Sequence, residues 1–198
     1  MATNIGVVRI LREKTGIPVM ECKRALDEAG GDIEKAVIVL RHRGVEVSRT
    51  RESRVAGCGM VALYSHGFGR LGVMVEMRCE TDFTVRSVPF VKLANVIAMH
   101  IAWANPMYVS RIDVPATECE RERRFAVESL SEAQFRHADK VVEGAMNRFY
   151  ERVCLLDQFE QKESKGLMTV GQLVDGLCHQ TGEKIKVARF VRIEAGVD

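Results

Sequence analysis

Leu71, Gly72, Val73, Met74, Val75, Glu76, Met77, Arg78, Cys79, Glu80, Thr81, Asp82 and Phe83 form the stretch on which the fold turns. Val73, Val75 and Met77 alternate with Gly72, Met74, Glu76 and Arg78, the period of a strand with one apolar face. The pattern then breaks, and Glu80 to Phe83 sets an acid beside a large aromatic just ahead of a long apolar run of helical period. An exposed Asp and Phe side by side suit contact with another protein, since a carboxylate competes for donors and a phenyl ring wedges between packed helices. Pattern alone leaves open a plainer reading, with Asp82 an ordinary helix-entry residue and Phe83 folded into the core.

Upstream, residues 58–65 read as a second strand, and the glycines of His66, Gly67, Phe68, Gly69 and Arg70 permit a tight reversal, so the two runs predict a hairpin. Downstream, Ser87 caps a predicted helix to Ala104, with Phe90, Leu93, Ala94, Ile97 and Ile101 as its apolar stripe and Asn105 and Pro106 closing it. Charges of both signs over 115–130 predict a solvated helix, followed by helices over 132–156 and 170–180. Residues 184–194 alternate Ile185, Val187, Val191 and Ile193 with charged positions, a third strand for the hairpin. The sum is an α+β core, a small antiparallel sheet packed with helices.

Ahead of this core lie three short helical patterns. Ile5, Val8 and Leu11 recur at helical spacing with Thr3 or Asn4 as a cap, and Thr15 and Gly16 end the run. Pro18 suits the first turn of a second helix, stopped by Gly30 and Gly31. Asp32 caps a third, for which Gly44 is the expected left-handed stop. Residues 1–45 thus predict a three-helix module resembling a ubiquitin-associated domain, 46–57 an Arg-rich connector, and 58–198 the core.

Composition narrows the function. With 198 residues, 46% of them hydrophobic, the chain can bury a core, and a net charge of +2 gives nucleic-acid binding no support from bulk electrostatics. The first 54 residues carry 11 Lys and Arg against 8 Asp and Glu, a mild bias toward an acidic partner surface. No stretch reads as a signal peptide or a membrane span, so the expected location is the cytoplasm. The six cysteines form no CxxC pair, which favours reduced thiols over a disulfide framework. Cys178 and His179 are adjacent, but no companion pair has zinc-site spacing, and no metal or cofactor is expected. No Ser, His and acid set or phosphate-binding glycine loop can be assigned.

Two independent motifs carry a resemblance. Glu80, Thr81, Asp82 and Phe83 form one; Leu11, Arg12, Glu13, Lys14, Thr15 and Gly16, followed by Met20, Glu21, Cys22, Lys23, Arg24, Ala25 and Leu26, form the other. Both resemble signatures of the bacterial and organellar elongation factor Ts family. Ala98 to Ala102, Asn105, Pro106, Tyr108, Val109, Glu143, Gly144 and the run from Val153 to Gln158 are similar to further family segments.

The resemblance implies a guanine nucleotide exchange factor that speeds GDP release from elongation factor Tu without covalent chemistry of its own. It implies that Thr81, Asp82, Phe83 and Thr84 dislodge magnesium from Tu, and that Arg12, Val19 and Met20 face Tu from the amino-terminal module. It also implies, for a chain this short, a homodimer in a two-plus-two complex with GDP-bound or nucleotide-free Tu, with no direct nucleic-acid or membrane role. Departures are present: Ile17, Pro18 and Val19 stand where the family commonly has a glycine and two methionines, Thr84 and Val85 replace a usual valine and alanine, and Arg largely takes the place of Lys in the connector. His100, on an apolar helix, reads as a satisfied structural residue.

Two rival functions fit the same residues. A Tu-binding or scaffold protein of this fold could lack exchange activity, and a ribosome- or RNA-associated module could use Arg49, Arg51 and Arg54.

Overall fold

The computed structural model of the chain describes residues 5–131, 134–160 and 168–197. Three helices come first: α1 (Ile5–Thr15), α2 (Val19–Glu28) and α3 (Ile33–Thr50). The expected caps Thr3 and Asn4 lie outside the described residues. Asp32 does cap α3, its carboxylate accepting from the Glu34 and Lys35 amides at 2.9 and 3.1 Å. Gly30 and Gly31 take positive φ, and the Gly31 amide returns to the Leu26 carbonyl at 2.8 Å, which stops α2. Val8, Leu11, Ile17, Cys22, Ala25, Leu26, Ala36 and Leu40 bury one another in a single core cluster.

One boundary differs from expectation. Gly44 does not stop α3, which runs on to Thr50 and takes up the first part of the expected connector. The glycine is interior to the helix, where a Cβ at position 44 would sit 3.4 Å from the Asp175 carbonyl oxygen, within ordinary contact.

Strands β1 (Cys58–His66) and β2 (Leu71–Cys79) form the predicted hairpin. Its turn places Gly67, Phe68 and Gly69 at positive φ and closes with the Arg70 amide on the Gly67 carbonyl at 3.1 Å. A one-turn helix α4 (Asp82–Val85) precedes α5 (Val88–Ala104), then come α6 (Ala116–Glu128) and α7 (Ala138–Val153). A two-stranded ribbon follows, β3 (Phe159–Glu160) antiparallel to β4 (Met168–Thr169), then α8 (Val170–Thr181) and β5 (Lys186–Glu194). The main sheet has the order β1-β2-β5, so the last strand joins the hairpin through β2. The architecture is α+β.

Helix α7 begins later than the helical pattern over 132–156 suggests, and Glu132 itself is outside the described residues. The Gln134 side chain accepts from the amide and hydroxyl of Ser131, and a 3-10 turn over Phe135–His137 precedes the helix. At its other end Cys154 leaves helical geometry to bridge Tyr108, and the Leu155 amide bonds the Tyr108 carbonyl at 2.9 Å. The β3 and β4 ribbon is too short to leave a period in the sequence, and no expectation covered it.

The chain divides into two compact units. The first comprises Met1–Val61, Glu76–Ala94 and Gln172–Lys186, and the second Ala62–Val75, Asn95–Gly171 and Val187–Asp198. In the first, Met77, Cys79, Phe90 and Ala94 are wholly buried, in addition to the core residues of the three-helix cluster. In the second, Val73, Val75, Ile97 and Ile101 are wholly or almost wholly buried, and Val114, Met146, Phe149, Val153 and Cys154 form a further core cluster.

Candidate partner-facing site

The end of β2 delivers the chain into a short, tightly capped turn. Thr81 has extended backbone and N-caps α4, its Oγ1 accepting from the Thr84 amide at 3.4 Å. The same hydroxyl donates to Glu183 Oε1 at 2.6 Å, while the Glu80 and Thr81 amides both donate to Glu183 Oε2 at 3.1 Å. Glu80 in turn accepts from the Lys184 amide at 2.6 Å and pairs with Arg54 at 3.3 Å. The Lys184 ammonium closes the frame on the Glu52 carbonyl. Two acids and their donors thereby hold the backbone at the start of the tetrad.

The frame shapes the ionisation of Glu183. Burial pushes its carboxyl up, but hydrogen bonds from Thr81, Thr84 and the backbone of Thr81 and Glu80 outweigh burial and leave it below its ordinary value. Cys79, fully buried beneath the turn, is the opposite case: burial and then the charge of Glu183 push its thiol up to about 11. A thiol held protonated this firmly is a packing group, with its Sγ donating to the Thr81 carbonyl at 3.1 Å.

On this frame Phe83 is 83% exposed, and Asp82 is exposed with an ion pair to Arg86 at 3.0 Å. The plainer reading of Phe83, a ring folded into the core, is therefore incorrect. Thr84 is buried, so of the four residues singled out in the sequence it supports the turn from within. Glu183, Lys184 and Arg54 belong to the site and were missed. They lie far from the tetrad in the sequence, and no local signal joins them to it.

The amino-terminal candidates fall on a second patch, at the end of α1 and the start of α2. Arg12 is exposed, as are Val19 and Met20, the latter two by 47% and 60%. Ile17 accounts for one departure, since it turns into the three-helix core and its carbonyl accepts from the Cys22 thiol at 3.3 Å. The connector arginines are engaged: Arg49 pairs with Glu46 at 3.4 Å, Arg51 donates to the Cys178 carbonyl at 3.1 Å, and Arg54 neutralises Glu80.

His100 is buried and its Nε2 lies 3.0 Å from Gln158 Oε1, the structural role read from the sequence. All six cysteines are free. Among the described residues, no group of three His, Cys, Asp or Glu is placed to hold a metal ion, and no helix is long and apolar enough to cross a membrane.

Comparison with known proteins places the chain among the translation elongation factors. Residues 35–197 match the family model described as elongation factor TS. The curated elongation factor Ts of Solibacter usitatus is 44% identical over 193 residues, covering 96% of this chain and 90% of that protein. Those of Desulforamulus reducens and Thermotoga petrophila are 43% and 38% identical, over 96% and 99% of this chain and 88% and 98% of theirs. The chain belongs to the elongation factor Ts family.

Proposed function

We propose that the chain is a guanine nucleotide exchange factor for elongation factor Tu, acting on the GDP form and holding the nucleotide-free form. The observation that carries this reading is an exposed Phe83 mounted on a backbone fixed by Glu183. A large ring left in water is unfavourable by itself and becomes favourable when it enters a partner's packed helices. A fixed backbone limits the ordering cost of that insertion.

In this mechanism Phe83 enters between helices of the Tu GTPase domain, while Asp82 repels or repositions the groups beside it. Thr81 and Thr84 hold the turn that aims them. Magnesium demands near-octahedral oxygen geometry and bridges the nucleotide phosphates, so small shifts of its protein ligands weaken GDP. Linkage makes the effect reciprocal: GDP weakens this chain's binding by the factor with which the chain weakens GDP, and a coupling of about 3 kcal/mol corresponds to roughly 150-fold. The chain contributes binding energy and no covalent step, so it is an exchange factor and not an enzyme.

Residues 1–45 act as the Tu-binding module through Arg12, Val19 and Met20, 46–57 as connector, and 58–198 as the exchange and dimerisation core. Exposed Leu63, Met74, Val191 and Ile193, on β1, β2 and β5, support a homodimer through the sheet and a two-plus-two complex. The expected location is the cytoplasm, where Tu works.

The test is stopped-flow release of a fluorescent GDP from the cognate Tu. Strong acceleration by the wild type that is lost in a folded Asp82→Ala, Phe83→Ala variant supports the reading. Binding without acceleration replaces it with a non-catalytic Tu-binding role.

A further inference from the structure

The stretch from Cys178 to Lys184, the last turn of α8 and the residues after it, touches the three-helix module and the exchange turn at once. All the residues in these contacts belong to the first compact unit. One end of the stretch is the frame already described, where Glu183 receives the Thr81 amide and the Lys184 amide donates to Glu80. The other end grips the module, through contacts that no motif in the sequence announces.

Three side chains make the grip. Gly16 follows α1 at a φ of 69°, and the Gln180 amide group lies over it so closely that a Cβ at position 16 would stand 2.6 Å from Gln180 Nε2. That glycine opens the turn through Ile17 and Pro18 that leads to Val19 and Met20 at the start of α2. His179 donates to the Leu40 backbone carbonyl on α3. Arg51, at the C-terminal cap of α3, donates from Nη1 to the Cys178 carbonyl at 3.1 Å. Carbonyls in the last turn of a helix lie at the negative end of its dipole, so a cation is favourable there.

The same segment therefore holds the module at one end and the Asp82 and Phe83 turn at the other. Two surface patches on a loose tether must be ordered when both engage one partner. Patches already held in place avoid that cost and present both contacts together. We propose, resting on the exchange reading above, that Gln180 and Arg51 are positioning residues, which hold the Arg12, Val19 and Met20 patch at a set distance from Phe83 so that both engage Tu as one preformed surface. Neither side chain has to touch Tu; each acts through the module it grips.

Release of a fluorescent GDP from the cognate Tu is followed over a range of concentrations of the whole protein, which separates the half-maximal concentration from the maximal rate. Arg51→Ala and Gln180→Ala are each expected to raise the half-maximal concentration at least five-fold. The maximal rate is expected to fall less than two-fold, because Glu183 still holds the turn that carries Phe83. Arg51→Lys keeps a cation near the α8 carbonyl and is expected to stay within two-fold of the wild type.

The deciding comparison repeats Arg51→Ala in a Val19→Ala, Met20→Ala background, with a thermal melt for every variant. A positioning residue has nothing left to position there, so Arg51→Ala is expected to shift the half-maximal concentration less than two-fold. A residue that only stabilises the fold gives the same factor in both backgrounds. Equal factors, or wild-type behaviour of both Arg51→Ala and Gln180→Ala, overturn the proposal. The exchange reading fails in a different way: a wild type that binds Tu without accelerating release overturns that reading alone, and the same comparison is then read from Tu affinity by calorimetry. A wild type that does not bind Tu overturns both.

Discussion

The Glu183 carboxylate receives the Thr81 hydroxyl at 2.6 Å and the Thr81 amide at 3.1 Å across 102 residues of sequence. This pairing ties the start of the Asp82 and Phe83 turn to the segment between α8 and β5. Hydrogen bonds to a charged acceptor are stronger than neutral ones, and three converge on one side chain.

Replacing Glu183 with Ala therefore leaves three donors to water and loosens the turn. The group is partly exposed, so the expected cost is about 1–2 kcal/mol after allowance for solvent screening. Exchange on Tu is expected to fall about ten-fold, because Phe83 is no longer held in one direction. Urea unfolding and fluorescent GDP release check the two numbers. The pH dependence has a definite sign: a carboxyl held below its ordinary value stabilises the fold above the unfolded-state pKa, and the benefit disappears as pH falls through the lower folded-state value. The gap between wild type and Glu183→Ala should thus narrow in strong acid.

Phe83→Ala separates probe from frame. The ring is 83% exposed, so its removal is expected to change stability by no more than about 0.5 kcal/mol. Exchange is expected to drop at least ten-fold, about 1.4 kcal/mol of lost coupling. A large loss of stability in a thermal melt, with exchange falling only in proportion to unfolded protein, would falsify the wedge mechanism.

How much of this was legible beforehand follows from the range of the interactions. Asp32 and Ser87 cap helices through amides two or three residues away, and the Val73, Val75 and Met77 face needs only its own alternation, so both could be read in order along the chain. Gly44 misled because a glycine that ends a helix and one inside a helix that runs on look alike until the packing around the helix, here Asp175, is in place. Glu183 is the same problem at the site. Its charge is ordinary in sequence, and only the fold brings it to Thr81.

Two glycines give opposite expected signs. At Gly44 a Cβ meets the Asp175 oxygen at 3.4 Å, ordinary contact, and the position is interior to α3. Gly44→Ala should therefore be neutral to stabilising, by up to about 1 kcal/mol from reduced backbone freedom. At Gly59 an added Cβ collides with the Met77 carbonyl of the adjacent strand. Gly59→Ala is expected to cost about 1–3 kcal/mol, because backbone must move to admit it. Chemical denaturation of the two variants side by side tests the contrast, and equal effects of either sign would refute it.

His179 on α8 provides the last prediction. Its Nδ1 is buried and, among the described residues, has no hydrogen-bond partner. Burial holds the ring below its ordinary pKa, opposed by the charge of Glu21 and a hydrogen bond donated to the Leu40 backbone carbonyl, and reinforced by Arg43 and Arg51. An unfolded chain accepts this proton more readily than the folded one, so stability is greatest above the unfolded-state pKa and declines as pH falls below it. His100 is shifted in the same direction, again chiefly by burial. Urea midpoints at pH 7, 6 and 5 are therefore expected to fall steadily for the wild type. His179→Gln removes the titration at one of the two positions, so its midpoint is expected to fall by a visibly smaller amount over the same range, whatever its starting stability. An identical slope in the variant would mean that His179 gains its proton as easily in the folded protein as in water, and that the buried Nδ1 is not the group resisting charge.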